Sequence, residues 1–583
     1  MDLRLGPDVA TADERAVIDA FAARHAPTRD QLLPALHAIQ DACGHLGPGA
    51  LNHLAVVFDV APAEIYGVAS FYDAFVFEPR AATTVHRCID LSCSLAGPPA
   101  RAEGDGDRDV CWIDGPCLGL CDQAPAALVT VSGAQPARVA VPHATSASIA
   151  VAVTDPRPAS SAVVPQRGDP GLRLLRRVGT VDPTSLEAYR ASQGYEALAL
   201  AVAIGPAGVI AEITSSGLLG RGGAAFPAGR KWAAVANQPA GPRFVVVNAD
   251  ESEPGTFKDR VLLEGDPFAI IESATIAGFA TGAEHGYVYL RDEYPEAETR
   301  LSHAIDEARR AGLLGANVGG HGFAFELELR RGAGAYICGE ETALFNSLEG
   351  FRGEPRSKPP YPVEVGLFGR PTLVNNVETI VNVLPVLLDG GAAYAATGTG
   401  AEGGSTGTKL FCLSGHVALP GVYEVPFGVT LRELLGLAGG VAGGRAPQAV
   451  LLGGAAGSFA GPNELDVPLT FEGTRSAGLA LGSGVVIVFD DTVHLPDVLA
   501  RIAAFFRHES CGQCVPCRVG TVRQAEVLER LAVGATEADL ALLDDLALVM
   551  RDASICGLGQ TAASAITSAV VKFSPYPTTR RSS

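Results

Sequence analysis

The chain has 583 residues, enough for about four domains at roughly 150 residues each, and its 47% hydrophobic and 19% charged residues exclude a disordered chain. A formal net charge of -20 argues against DNA or RNA as the main partner, because Lys and Arg drive phosphate binding. The opening MDLRLGPDVATADER lacks the apolar core of a signal peptide, and the window LALAVAIGPAGVIAEI is shorter than the ~20 residues of a membrane span, so a cytoplasmic chain without membrane insertion is expected.

Residues 1–82 are expected to form a helical bundle, since RDQLLPALHAIQDACG and HLAVVFDVAPAEIYGVASFYDAF alternate apolar and polar positions at helical spacing. In 83–153 the short runs TVHRCID, ALVTVSG and RVAV, separated by turn residues, predict a compact α/β unit. Pro and Ser enrichment in DPRPASSAVVPQRGDPG makes 154–171 a linker. Residues 172–405 mix strands such as FVVVNAD and GYVYLRD with helical stretches, as in a layered α/β domain, and carry three glycine-rich segments. Residues 406–494 read as a small β-rich domain, with KLFCLSG and VVIVFDD around the helical TLRELLGLAGG. The remainder, 495–583, reads as amphipathic helices, LPDVLARIAAFFRHES and TEADLALLDDLALVMRDAS being the clearest.

Twelve cysteines in a reducing compartment should not be a disulfide framework, so the clustered ones are read as metal ligands. Cys511, Cys514 and Cys517 share one loop at C-x2-C-x2-C spacing, and Cys556 lies some forty residues on, a set that suits a 4Fe-4S cubane. Structural zinc is the alternative, although its motifs usually pair two C-x2-C units. Cys88 and Cys93, with Cys117 and Cys121, form a C-x4-C and a C-x3-C pair that can hold a 2Fe-2S cluster, with zinc or unligated thiols as alternatives. Cys43, Cys111, Cys338 and Cys412 have no partner spacing and are read as small buried apolar residues.

The run GLLGRGGAAFPAGRKW contains Gly220, Arg221, Gly222, Gly223, Ala224, Phe226 and Lys231, with glycines dense enough for backbone N–H groups to wrap a phosphate and cations nearby. By itself its G-x-G-x-x-A pattern describes a tight turn between helix and strand equally well. A strand ending at Asn248 then leads into Asp250, Glu251 and Glu253. Carboxylates at a strand end suit ribose hydroxyls and would repel the extra phosphate of NADP, which favours NAD; a solvated acidic loop is the bland reading. GAGAYICGEET, with Tyr336, Gly339, Glu340 and Glu341, adds another loop, and RPTLVNNVET, with Asn375, Asn376 and Thr379, adds adjacent amides able to read a flavin's polar edge.

Taken together, GRGGAAFPAGRKW, NADESEPGTFKDR, GAYICGEETAL, KPPYP, RPTLVNNVET, ESCGQCVPC and ICGLG closely resemble the NADH-oxidising flavoprotein family over residues 172–575. That family includes the complex I subunit with FMN and a 4Fe-4S cluster, the diaphorase subunits of NAD-reducing hydrogenases, and the β subunits of NAD-linked formate dehydrogenases. Residues 12–153 resemble the thioredoxin-like 2Fe-2S subunit that normally sits beside it. The resemblance implies a multidomain α/β protein with an N-terminal helical bundle, a thioredoxin-like 2Fe-2S domain, a Rossmann-like FMN and NAD domain, a β-grasp-like (ubiquitin-like) domain and a C-terminal helical bundle around the 4Fe-4S cluster. It implies the cofactors FMN, NAD, 4Fe-4S and 2Fe-2S, and no side-chain acid or nucleophile.

By the same resemblance, Gly220 to Gly229 and Lys231 would cradle the FMN phosphate and ring edge, with Asn248, Asp250, Tyr336, Asn375, Asn376 and Thr379 completing the flavin pocket. Phe226 and Tyr361 would stack the adenine, while Glu251, Glu253, Glu340, Glu341 and Lys358 would surround the nicotinamide and ribose. Ala225 and Ala228 depart from residues usually Gly and Thr, and Ala234 stands where some members have a second adenine-stacking aromatic. Complex I typically carries the two modules on separate chains, so their fusion implies a soluble enzyme. The intact N-terminal ligand set and RDASICGLGQTA resemble the formate enzymes, whose partner is a large formate-oxidising molybdopterin subunit with Mo or W and further iron-sulfur clusters. The alternatives are the diaphorase of an NAD-reducing nickel-iron hydrogenase and a complex I-type NADH dehydrogenase module. The competing class is a non-catalytic assembly subunit whose cysteines hold zinc and whose glycine loops are only turns.

Overall fold

A computed structural model describes residues 5–6, 8–99, 110–157, 163–400 and 404–576. Part of the expected linker, 158–162, lies outside the described residues. The chain begins with helices Ala12–Ala22, Leu32–Cys43, Pro48–Phe58 and Pro62–Ala69. Their limits follow from local chemistry. Thr11 and Glu14 close a capping box on the first, Gly44 (φ 80°) ends the second, and prolines occupy the first turns of the other two, where a missing N–H costs nothing.

Strands β1 (Thr83–Cys88), β2 (Val110–Gly115), β3 (Ala127–Val131) and β4 (Ala137–Val141) form a sheet in the order β2-β1-β3-β4, with β1 and β2 parallel. The sequence runs located β1, β3 and β4 but not β2. This edge strand has no fully buried position, so it lacks the apolar alternation that betrays its neighbours.

Strands β5 (Phe244–Ala249), β6 (His285–Leu290), β7 (Glu326–Arg331) and β8 (Thr372–Asn376) form an all-parallel sheet in the order β7-β6-β5-β8. Val245, Val246 and Val247 of β5 are buried on both faces, as the uninterrupted apolar run in FVVVNAD requires. The strand order reverses at β5, and in such sheets ligands bind outside the carboxyl ends of the strands at that point. Register places Asn248 of β5 opposite Asn376 of β8 there.

The last sheet joins β9 (Thr408–Gly415), β10 (Gly421–Pro426), β11 (Pro447–Leu452), β12 (Ser458–Ala460) and β13 (Val485–Asp490) in the order β10-β9-β13-β11-β12. Parallel β9 and β13 lie inside it and the helix Leu431–Leu437 packs against it, a β-grasp arrangement. Helices Leu495–Glu509, Val515–Gly534, Glu537–Ala553, Gly557–Thr561 and Ser564–Phe573 follow.

Among the described helices, Glu196–Ser215 has the length and apolar composition to cross a bilayer, but Gly205 (φ 75°, ψ 167°) breaks it into pieces each short of ~20 residues. The cores are shared between regions. One apolar cluster runs from Leu36 and Leu54 of the first helices through Phe345 to Leu499 and Ile566 of the last, and a second joins Cys117 and Cys121 to the parallel-sheet domain.

Candidate functional site

The carboxyl ends of β5 and β8 open on a cavity of about 630 Å³. Its walls come from the glycine loop and acidic run of the parallel-sheet domain, from the segments around 453–457 and 471–483 of the small β domain, and from Gly557, Leu558 and Thr561 just past Cys556.

An antiparallel bridge between Leu219 and Pro227, with Gly220 N–H donating to Phe226 O (2.9 Å), closes the glycine loop. Gly223 has φ 121°, and a Cβ on Gly222 would press on the Asn376 side chain at 3.1 Å, so the loop needs glycine at both. Ala225, one of the departures from the family pattern, holds a left-handed φ of 52° at a cost of roughly 1 kcal/mol. Gly222 to Ala225 line the cavity.

Arg221 does not bring a cation to it. Its side chain is fully buried and donates to the carbonyl oxygens of Leu219 (3.1 Å), Thr406 (2.8 Å) and Thr408 (3.2 Å), tying the loop to the small β domain. Its backbone N–H donates to Thr379 Oγ1 (2.8 Å), and Asn375 Oδ1 accepts from Trp232 Nε1 (3.0 Å). Arg221, Asn375 and Thr379 thus brace the loop from behind, outside the cavity wall. Lys231 donates to Glu341 Oε2 (3.1 Å) and Val374 O (3.2 Å).

The acidic run forms the opposite wall. Asn248 Nδ2 donates to Gly339 O (2.8 Å) and its Oδ1 accepts from Asp250 N–H (3.1 Å). Asp250 Oδ2 is buried without a hydrogen-bond partner among the described residues, and burial pushes the carboxyl well up. Burial also takes Glu251 up to about 8, with Asp259 adding to the rise and Lys258 opposing it. Glu253 rises with burial to about 7, although its carboxylate accepts from Tyr336 Oη (2.6 Å) and Ala456 N–H (2.8 Å).

Toward solvent, Lys358 Nζ bridges Glu340 Oε1 (2.7 Å) and Glu341 Oε1 (3.3 Å). Burial would raise Glu341, but Lys231 and Lys358 outweigh it and hold it below the usual carboxylate range. Glu340 and Gly339 reach the cavity wall, whereas Phe226 and Tyr361, 48% and 54% exposed, stand outside it with Glu341 and Lys358.

Lys258 and Asp259 are among the wall residues that the sequence reading did not assign. Lys258, fully buried, donates to Asp259 Oδ1 (2.7 Å) and pairs with Glu378 (3.1 Å), while Asp259 Oδ2 accepts from Asn376 Nδ2 (2.6 Å). They orient the Asn376 amide. NADESEPGTFKDR contains both, but nothing in that run says that the helix starting at Lys258 folds back under Asn376.

Both cysteine sets converge. Cys88, Cys93, Cys117 and Cys121 are 1 to 4% exposed, and the Sγ atoms of Cys117 and Cys121 are 3.3 Å apart. Cys517 and Cys556 are buried and Cys511 and Cys514 partly so, with Ser510 Oγ 3.2 Å from Cys517 Sγ. Of the unclustered thiols, Cys338 and Cys412 are buried as expected; Cys43 and Cys111 are only half-buried. Four thiols, with no imidazole or carboxylate hydrogen-bonded to them among the described residues, suit an iron-sulfur cluster at each site. For FMN, the orphaned Asp250 acceptor and the Cβ-free amides of Gly222 and Gly223 offer what a flavin's ring donors and phosphate need.

Comparison with known proteins decides the family. Residues 213–385 match the Nuo51 FMN-binding domain, 497–578 the NADH-ubiquinone oxidoreductase-F iron-sulfur binding region, 18–140 a thioredoxin-like 2Fe-2S ferredoxin, and 410–456 an SLBB domain. A subunit of the NADH-quinone oxidoreductase of Aquifex aeolicus is 46% identical over 402 residues, 69% of this chain and 92% of that protein. The NADP-reducing hydrogenase subunit HndC of Solidesulfovibrio fructosivorans is 44% identical over 404 residues, 68% of this chain and 81% of that one. The chain belongs to the complex I flavoprotein-like family.

As such a flavoprotein it is an NAD-dependent oxidoreductase of diaphorase type that binds FMN, a 2Fe-2S and a 4Fe-4S cluster. The likeness extends to the fused N-terminal part. A crystal structure of an NAD+-reducing NiFe-hydrogenase in its hydrogen-reduced state superposes with a TM-score of 0.78 at 35% identity, covering 94% of this flavoprotein and 92% of that chain.

Proposed function

We propose that the chain is the NAD-handling subunit of a soluble NAD-dependent formate dehydrogenase complex, exchanging electrons with a partner molybdopterin subunit through its iron-sulfur clusters. FMN, when bound, couples two-electron exchange with NAD to single-electron exchange with iron-sulfur clusters. The observation that carries this reading is a cavity that both cysteine sets adjoin through neighbouring residues. Leu558, two residues past Cys556, lines it, and Arg291 joins Cys117 O (2.7 Å) to the backbone oxygen of Glu251 (2.6 Å) in its wall.

In this reading the Gly222 to Ala225 amides hold phosphate, Asn248, Asp250 and Asn376 meet the flavin, and Glu251, Glu253 and Glu340 face the nicotinamide half of NAD. The residues outside the cavity wall divide the rest, with Gly220, Arg221, Asn375 and Thr379 supporting the loop and Phe226, Tyr361, Glu341 and Lys358 offering an outer surface for the adenosine. Separate sheets support domain limits near 83, 172, 406 and 495. A cytoplasmic location is supported by twelve free cysteines.

The identity of the partner has two supported forms. An intact N-terminal ligand set and RDASICGLGQTA favour formate, whereas the superposition on the NAD+-reducing NiFe-hydrogenase chain over 94% of the sequence favours hydrogen. The chain expressed with adequate iron and riboflavin should carry FMN and about six iron atoms, and should reduce ferricyanide with NADH. A colourless polypeptide inert toward NADH refutes the proposal. In the native complex, formate-dependent NAD reduction with Mo or W supports the first form, and hydrogen-dependent reduction with Ni replaces it by the second.

A further inference from the structure

The domains that line the cavity contribute different side chains. The parallel-sheet domain contributes the carboxylates of Asp250, Glu251, Glu253, Asp259 and Glu340, with Lys258 as its only cation among the described residues and that one already held by Asp259 and Glu378. The small β domain contributes no carboxylate among the described residues. It presents Thr474, Ser483, a stretch of backbone and Arg475, which projects from the short helix Phe471–Ser476.

Arg475 is exposed, and its guanidinium makes no ion pair and no hydrogen bond among the described residues. Among those residues it is the one cation of the cavity wall without an acidic partner. The loop after this helix also adjoins the glycine loop. A Cβ on Gly223 would lie 3.9 Å from the backbone of Gly482 and Ser483, and Ser483 Oγ is 3.0 Å from Thr256 Oγ1. Glycine-loop amides and a free planar guanidinium thus line one cavity, the combination that suits a phosphoryl group.

We propose that Arg475 binds a phosphoryl group of the nucleotide in this cavity, making the small β domain part of the binding site. The inference rests on reading the cavity as the FMN and NAD site. The phosphoryl group belongs either to FMN or to the pyrophosphate of NAD, and the test separates them.

Arg475→Gln and Arg475→Lys are made in the full-length chain, with Arg432→Gln, whose residue pairs with Asp466 on the same domain, as the control for loss of a surface charge. Dissociation of FMN and of riboflavin, which lacks the phosphate, is followed by flavin fluorescence, and KM and kcat for NADH are measured with FMN in excess. If the phosphate is that of FMN, Arg475→Gln weakens FMN by about tenfold or more while leaving riboflavin unchanged. If it is that of NAD, the variant raises KM for NADH by about tenfold with kcat and flavin content unchanged. In either case Arg475→Lys recovers part of the loss and Arg432→Gln behaves as wild type. FMN dissociation and KM both within about twofold of wild type, or FMN and riboflavin weakened equally, overturns the assignment. A wild-type chain that binds no flavin instead overturns the reading of the cavity, independently of the Arg475 variants.

Discussion

Asp250, in the cavity wall, holds a buried carboxylate oxygen with no donor among the described residues. Leaving such an acceptor unpaired costs on the order of 1–3 kcal/mol, which a donor on a bound ligand removes. Asp250→Ala should therefore weaken FMN by roughly tenfold to a hundredfold in fluorescence titrations. Without flavin the thermal midpoint should stay level or rise, since a buried unpaired polar group has gone. A drop in stability without a change in FMN affinity would contradict this. At the same scale, Arg221 shows how far one residue can be read from its neighbours. Its place inside GRGG suggests a phosphate-binding cation, but the loop turns its side chain inward onto the carbonyls of Thr406 and Thr408. Those partners lie almost two hundred residues away in sequence, beyond the reach of any local pattern. Asn375 and Asn376 are likewise equivalent in sequence, and strand alternation alone sends one to Trp232 and the other to the cavity.

The helix Leu32–Cys43 docks on the end of β7 through His37, and the geometry defines its charge. His37 Nδ1 accepts from Arg331 Nη2 (2.6 Å), and Nε2 therefore donates to Gly332 O (2.8 Å), so the ring is neutral. Burial, aided by Arg331, holds the imidazole well below its ordinary value against the opposing Asp292. A folded value below the unfolded ~6.5 means that the unfolded chain takes up the proton first as pH falls. The stability is present above pH ~6.5 and is lost as pH falls below it, by about 1.4 kcal/mol at pH 5.5. Thermal melts from pH 7.5 to 5.5 should show this slope in the wild type and a shallower one in His37→Gln; parallel slopes would rule out His37 as the cause. The helix itself was legible from its period and its terminal glycine. Its docking partner was not, because LHAIQDAC carries His37 and Asp41 as ordinary polar positions and only the fold sets Arg331 against them.

For the whole molecule, the thioredoxin-like region is joined to the cavity wall by charge. Arg260, fully buried, donates to Gly119 O (2.9 Å) and pairs with Asp122 (2.8 Å) and Glu264 (3.1 Å), bridging the second cysteine loop to the helix behind Glu251. Arg260→Gln leaves two buried carboxylates without their counter-charge and should destabilise this junction by about 3–5 kcal/mol. Earlier proteolysis within 83–153 and a weakened 2Fe-2S EPR signal, with the 4Fe-4S signal retained, would report it; loss of both signals together would point to general unfolding instead. By itself the sequence determined what depends on near neighbours: helix and strand periods, the loop that needs glycine, and cysteine spacings close enough for shared ligation. The tertiary structure decided which charged groups are buried in pairs, which amide faces the cavity, and that three domains wall one site. Those outcomes depend on contacts between segments hundreds of residues apart and on desolvation, and neither quantity has a value until the chain has folded.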